Sequence, residues 1–254
     1  MADLLPALDV LAAVCSTFLL AGVIKGIVGF GLPTVALALL AATMGLKAAV
    51  ALTVFPAFFT NIWQAAVGGQ FSALLRRLAP FLLAAILGVG IGTLGLKHAP
   101  GPLLSVMLGV LIAIYAGVSL ANWRLPPVGS AERWANPSVG LTNGVVTGMT
   151  GTFIVPGILY LQALRLPRTA LIQAMGIVFV TLTAALGLFV AGNGLMPVDL
   201  ASASLLATPC AFAGMVVGQR VRNVLSDAAF DRAFFAGLLG VGAFLIARNA
   251  GSLT

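Results

Sequence analysis

The stretch Gly22-Val-Ile-Lys25-Gly26-Ile-Val-Gly29-Phe30-Gly31-Leu-Pro33 lies near the start of the chain, and a related stretch, Gly144-Val-Val-Thr-Gly148-Met-Thr150-Gly151-Thr152-Phe153-Ile-Val-Pro156, lies past its middle. Three glycines superpose at a separation of 122 residues, and the proline shifts by one position. Further on, Gly88 and Gly92 parallel Gly214 and Gly218. This recurrence indicates a duplication. We divide the chain into a first repeat (1–121), a polar cytoplasmic linker (122–137) and a second repeat (138–254).

The composition excludes a soluble protein. Of the 254 residues, 61% are hydrophobic and 7% are charged, whereas a soluble domain has about 25% charged residues. The chain therefore has too few polar side chains to cover a surface in water, and its solvent must be membrane lipid. The net charge of +7 comes from scattered basic residues that form no stripe, which argues against nucleic acid. Cys15 and Cys210 lie in apolar runs and are expected to be small buried hydrophobic residues.

Ten apolar runs predict an all-α, polytopic membrane protein with about five helical segments in each repeat. Most runs approach the ~20 residues that a spanning helix needs. The runs 32–45, 138–150 and 153–164 are shorter, and they flank the two glycine-rich stretches. Each stretch is therefore either one interrupted span, which makes the repeats parallel, or a re-entrant Gly-Pro hairpin, which makes them inverted.

The distribution of basic residues favours the inverted repeats, because Lys and Arg concentrate on the cytoplasmic side of a membrane. Setting aside Lys25, which lies within a span, the hairpin topology puts nine basic residues on one side and three on the other, whereas the interrupted span divides them seven to five. The nine are Arg76, Arg77, Arg124, Arg133, Arg165, Arg168, Arg220, Arg222 and Arg232; the three are Lys47, Lys97 and Arg248.

The two breaks predict a site for an anion. Pro33 and Pro156 suit the first turn of a returning helix, whose free N–H groups carry partial positive charge. Two such turns, one from each inverted repeat, are expected to meet near the middle of the membrane. The competing interpretation is that the glycines only allow close helix packing. We predict these substrate-binding residues: Lys25, Gly26, Gly29, Phe30, Gly31, Pro33, Gly148, Thr150, Gly151, Thr152, Phe153, Pro156 and Gln173.

Lys25 has two possible roles. A charge at membrane depth costs at least about 2.5–3.5 kcal/mol, so its ammonium either attracts an anion to the break or reaches out to the membrane interface. Asn61, Gln64, Thr150, Thr152 and Gln173 could hydrogen-bond the substrate or bond between helices, the commoner case. The sequence offers no nucleophile with a positioned base and no cluster of metal ligands, so we expect neither an enzyme nor a cofactor.

Gly26, Gly29, Gly31 and Pro33, together with Gly148, Gly151 and Pro156, resemble the duplicated glycine-rich segment of the sulfite exporter TauE/SafE family. The resemblance covers roughly residues 10–249. Phe30 interrupts the glycine triplet of that family, and Thr152 and Phe153 replace glycines in the second half. The resemblance implies export of small sulfur-containing anions, such as sulfite, sulfoacetate and related sulfonates, across the bacterial inner membrane.

The predicted function is therefore a multi-pass secondary transporter that exports a small anion by alternating access. Uptake by proton or sodium symport, an anion channel and a partner subunit without transport of its own are the alternatives. Homo-oligomerisation is left open.

Overall fold

The computed structural model describes residues 8–222 and 227–251, and the regular structure within those ranges is entirely helical. In chain order the helices are α1 (Leu8–Val28), α2 (Leu32–Met44), α3 (Leu46–Ala66), α4 (Phe71–His98), α5 (Gly101–Leu120), α6 (Glu132–Thr150), α7 (Leu159–Ala163), α8 (Arg168–Gly192), α9 (Val198–Arg222) and α10 (Asp227–Ala250). Seven helices in the described ranges are long and apolar enough to cross a membrane. The predicted all-helical class with many spans is confirmed.

Two apolar segments are too short to cross, as predicted. Helix α2 has 13 residues. After the second break the chain runs through a kinked segment, 154–158, in which Val155 is extended (φ −115°, ψ 126°), and then enters the five-residue α7. Both segments fall short of the ~20 residues that hydrocarbon requires.

Helix α6 begins at Glu132, inside the stretch 122–137 that was predicted to be a linker. Its polar residues are paired with protein groups. Arg77 donates two hydrogen bonds to Glu132, at 2.6 and 2.7 Å. The buried Asn136 donates to the Arg77 carbonyl at 3.2 Å and accepts from the Tyr160 hydroxyl at 2.9 Å. Because these contacts take the place of hydrogen bonds to water, the polar residues from Glu132 onward form a helix and not an irregular linker.

Helices α3 and α8 lie at the centre, since 61% of the membrane-spanning window of each is buried, against 22–44% for the other five. They pack on each other, and six other helices pair around them: α1 with α9, α4 with α6, and α5 with α10. Every one of these pairs joins a helix before residue 121 to a helix after residue 131. The core is therefore built across the boundary between the two parts of the sequence.

The α1–α9 and α4–α6 pairs approach backbone to backbone. A side chain added at Gly22 would collide with the Ala211 carbonyl, and one added at Gly144 would collide with the Ala85 carbonyl. Small residues allow this approach in a membrane, where dispersion and packing hold helices together.

Basic residues meet at the two ends of the bundle. Lys47 Nζ donates to the Lys97 carbonyl at 2.9 Å, and Arg248 donates to the Ala42 carbonyl. Arg77, near the start of α4, pairs with Glu132. Lys97 lies twenty residues further along the same helix, which corresponds to about 30 Å. Lys47, Lys97 and Arg248 are therefore at one end of the bundle and Arg77 is at the other.

Candidate functional site

A cavity of about 580 Å³ opens beside the first break, among the ends of α1, α5, α8 and α9. Four arginines line it: Arg124, Arg165, Arg168 and Arg222. No Asp or Glu is among its described lining residues. Arg165 also donates a hydrogen bond to the Leu125 carbonyl at 3.0 Å, which holds the segment after α5 at the rim. The cavity therefore presents a concentrated positive field, which attracts anions and raises their local concentration.

Aromatic rings form the inner wall of this cavity. Phe30 packs edge-on against Tyr115, with 6.3 Å between ring centroids, and Tyr115 packs edge-on against Phe235 at 5.6 Å. Ile27 and Val28, the last residues of α1, complete the wall. The cavity thus reaches the first break at Phe30, which was predicted to be a site residue.

The first break spans Gly29 to Gly31. The Gly29 N–H still donates to the Lys25 carbonyl at 2.8 Å, and α2 then starts at Leu32. Gly29 and Gly31 have φ of +91° and +100°, a left-handed conformation that L side chains rarely adopt. Pro33 is buried in the first turn of α2, where its missing N–H costs nothing. Gly31 and Pro33 do not line the arginine cavity.

Lys25 lies one turn before this break and is 4% exposed. Its Nζ donates to Thr60 Oγ1 at 3.1 Å and to Asn61 Oδ1, both on α3. The ammonium therefore points into the protein. The alternative, in which the side chain reaches the membrane interface, does not describe this structure.

The second break differs from the first in the groups that surround it. The Gly151 N–H donates to the Thr147 carbonyl at 2.7 Å, and Gly151 has φ of +75°. The Thr150 hydroxyl donates to the Val146 carbonyl at 2.7 Å, and the Thr147 hydroxyl donates to the Thr152 carbonyl at 3.0 Å. Two of the three threonine hydroxyls are therefore used by the backbone of the break itself.

The chain after the second break is anchored by Asn143 of α6. Its Oδ1 accepts a hydrogen bond from the Gly157 N–H at 2.9 Å. Gly157 follows Pro156, whose peptide bond with Val155 is cis. Phe153 is buried against Phe179, with 5.4 Å between ring centroids.

Gly151 and Phe153 face a crevice that is too narrow for a water molecule. Apolar side chains line most of it, including Leu37 from α2, which contacts Gly151. The first break thus borders a wide basic cavity, whereas the second borders a closed apolar crevice.

Like Thr150 and Phe153, three further predicted site residues have structural contacts. Gly26 and Gly148 lie against the backbones of α9 and α4, where a side chain would collide with the carbonyls of Met215 and Val89. Gln173 donates to the Ala65 carbonyl at 2.9 Å and accepts from the Gln70 N–H at 2.9 Å, so its amide joins α8 to the end of α3. These contacts correspond to the packing and helix-bonding alternatives that the sequence left open.

Four buried side-chain atoms in the described ranges have no hydrogen-bond partner: Asn61 Nδ2, Gln64 Oε1, Asn143 Nδ2 and Thr152 Oγ1. Asn61 holds Lys25 near the first break, and Gln64 is three residues further along α3. Asn143 and Thr152 belong to the second break. Buried polar atoms are almost always paired, so unpaired ones need an explanation. Asn61, Asn143 and Thr152 thus each lie in a break or bond to a residue near one.

A family model described as sulfite exporter TauE/SafE matches residues 14–245, nearly the whole chain. The chain belongs to the sulfite exporter TauE/SafE family. No curated protein and no solved structure matches it. Membership in TauE/SafE implies a multi-pass membrane transporter for sulfite or a related anion, and it favours transport over catalysis. The basic cavity fits such a cargo.

Sequence reasoning missed part of what this TauE/SafE member places near the breaks. The arginines of the cavity indicate only sidedness in the sequence, because they lie in three separate segments and nothing in their spacing shows that these segments converge. Thr60 and Asn143 were not singled out. Their signal was weak: each is a polar residue in an apolar run, a pattern that usually means a bond between helices.

Proposed function

We propose that the protein is a secondary transporter that exports a small anion, sulfite or an organosulfonate, across a bacterial inner membrane by alternating access. One observation carries the proposal: a cavity lined by four arginines, with no acid among its described lining residues, reaches the first helix break. In a protein of the sulfite exporter family, that cavity is the cytoplasmic entrance for the anion.

The energetics favour export. An anion that leaves a cell with a negative interior gains about 2.3 kcal/mol per charge for each 100 mV. The membrane potential alone can therefore drive the cargo outwards. In this conformation the entrance at Phe30 is open, whereas the crevice at Gly151 and Phe153 is too narrow for a water molecule.

The contacts at the bundle ends support two inverted repeats. Lys47, Lys97 and Arg248 gather at one end, which is the grouping that the inverted topology requires. The helix pairing supports a duplication, whichever way the two repeats are oriented. Helix α1 packs on α9, and the corresponding helices of the other half, α6 and α4, pack on each other in the same way. The end that holds Arg77 then faces the cytoplasm.

Proteoliposomes that contain the purified chain test the proposal. Sulfite or sulfonate efflux is followed while a potassium gradient and valinomycin impose an inside-negative potential. We expect efflux to saturate with concentration and to speed up with the potential. Flux that ignores the potential contradicts export. Flux driven inwards by a proton or sodium gradient indicates uptake, and flux that does not saturate indicates a channel.

Charge-neutral variants locate the entrance. Arg124→Gln and Arg168→Gln each remove one positive charge from the cavity and should slow efflux several-fold, with a smaller effect at high salt. Arg133→Gln is the matched control, because Arg133 lies over the Trp134 ring, 5.1 Å from its centroid, and does not line the cavity. Equal effects of all three variants would argue against the cavity as the entrance.

A further inference from the structure

The buried cluster around Lys25 has the composition of a binding site. Lys25 is 4% exposed and its two hydrogen-bond partners, Thr60 and Asn61, are neutral. In the described parts of the chain, the single ion pair within 4 Å joins Arg77 to Glu132, far along the sequence from Lys25. The cluster therefore has one positive charge that no described acid neutralises. A buried charge of this kind is costly, and an anion bound beside it removes the cost.

The amide orientations in the cluster follow from chemistry. An ammonium can only donate, so the atom of Asn61 that meets Lys25 is its oxygen. The Ile172 carbonyl can only accept, so the atom of Gln64 that meets it at 3.1 Å is its nitrogen. The atoms left over are Asn61 Nδ2, a donor, and Gln64 Oε1, an acceptor, and neither has a partner.

These two atoms belong to one face of α3. Asn61 and Gln64 are three residues apart in the helix, and such residues are neighbours on its surface. Both are buried, at 0% and 7% exposure. Lys25 offers a third N–H beside them, since only two of its three protons are used. The cluster thus offers two kinds of donor and one acceptor within about one helical turn.

The cluster also lies next to the basic cavity. Val28 and Phe30, which line the cavity, follow Lys25 by three and five residues. Val28 and Lys25 share a face of α1. An anion that has entered the cavity needs to advance by only about one helical turn to reach Lys25.

We propose that Lys25, Asn61 and Gln64 form the binding site for the cargo, and that this cargo is a singly charged oxyanion which carries its own hydrogen-bond donor. This inference rests on the proposed transport function. Lys25 and Asn61 donate to the oxygens of the acid group, and Gln64 Oε1 accepts from a hydroxyl of the cargo. One lysine neutralises one charge, so a second negative charge stays uncompensated at this depth.

Three small anions of fixed charge test the proposal in binding measurements on the purified full chain. Isethionate has one charge and a hydroxyl, 1-propanesulfonate replaces that hydroxyl with a methyl group of similar size, and sulfate has two charges and no donor. We expect isethionate to bind about tenfold tighter than 1-propanesulfonate, since the methyl group leaves Gln64 Oε1 unpaired. Sulfate should bind more weakly than either. Equal affinities for the two sulfonates, or a preference for sulfate, would overturn the proposal.

Variants assign the effect to residues. Gln64→Met should abolish the preference for isethionate over 1-propanesulfonate, and Lys25→Met should weaken both sulfonates by about tenfold or more. Asn136→Leu is the matched control: Asn136 is also a buried amide, but both of its ends are hydrogen-bonded, to the Arg77 carbonyl and to the Tyr160 hydroxyl. It should leave the preference intact. An unchanged preference in folded Gln64→Met contradicts the assignment.

The comparison of the three anions on the unaltered protein needs no variant, so a variant that fails to fold leaves the proposal testable. Binding also separates this inference from the proposed function. Selective binding without flux would refute transport and keep the site, whereas flux without the selectivity would refute the site and keep transport.

Discussion

The backbone contact between α4 and α6 makes Gly144→Ala a sharp test of the fold. A methyl group at Gly144 would lie on the Ala85 carbonyl, and one at the facing Gly88 would lie on the Leu141 carbonyl. A carbonyl within a helix cannot rotate away as a side chain does, so the two helices must move apart. Overpacking of this kind costs about 1–3 kcal/mol. For a chain of this size, each kcal/mol lowers Tm by about 2–4 °C, so we expect a fall of about 2–12 °C.

The assay is thermal unfolding of the purified protein in detergent, followed by tryptophan fluorescence. Gly117→Ala in α5 is the control, because nothing lies within 4 Å of a methyl group at that position. Alanine is the better helix former by up to about 1 kcal/mol, so this variant should be neutral or slightly more stable. If Gly144→Ala unfolds at the same temperature as Gly117→Ala, the backbone contact between α4 and α6 is wrong.

Three further predictions concern contacts between helices. Hydrogen bonds from Arg77 hold the pKa of the Glu132 carboxyl below its usual value. The ion pair therefore stabilises the fold at any pH above the pKa that Glu132 has in the unfolded chain. This stabilisation is lost as the pH falls through the lower pKa of Glu132 in the folded protein. Glu132→Gln should cost about 0.2–1 kcal/mol at neutral pH and nothing in acid, and a constant difference in Tm across that range would contradict this. The Cys15 and Cys210 thiols are neighbours across the α1–α9 contact, so copper phenanthroline should link them. After proteolysis at a site inserted in the 122–128 segment, the two fragments should then stay together on a non-reducing gel, and Cys15→Ser should release them; separation in the oxidised parent protein would disprove the contact. Tyr160→Phe removes the hydrogen bond to Asn136 and should lower the free energy of unfolding by about 1 kcal/mol, and an unchanged Tm would contradict that contact.

Much of the fold could be predicted because it depends on local composition. Apolar runs near the length of the bilayer predicted the spanning helices, and the glycines with positive φ at Gly29, Gly31 and Gly151 mark interruptions that the motif indicated. The start of α6 could not be predicted in this way. Whether a polar stretch such as Glu132 to Asn136 forms a helix depends on the partners that other segments supply, and those partners are invisible in a local window.

The site was harder to predict than the fold. One glycine motif serves two purposes: Gly26 and Gly148 pack helices together, whereas Gly29 and Gly151 end them. The spacing of the motif does not separate these roles. Cys15 and Cys210 illustrate the same difficulty. Both are half-buried and neighbours in space, although 195 positions separate them in the chain and neither residue's surroundings predict the other.

The close packing of α1 on α9 and of α4 on α6 constrains how the molecule can change conformation. Each pair packs backbone against backbone, so we expect the two helices of a pair to move together as one rigid unit. Because each of these units takes one helix from each predicted repeat, we expect that the two repeats cannot swing apart as intact bodies. The rigid units therefore combine helices of both predicted repeats, and we expect a hinge where these units meet the central α3 and α8 and not in the segment that joins the repeats.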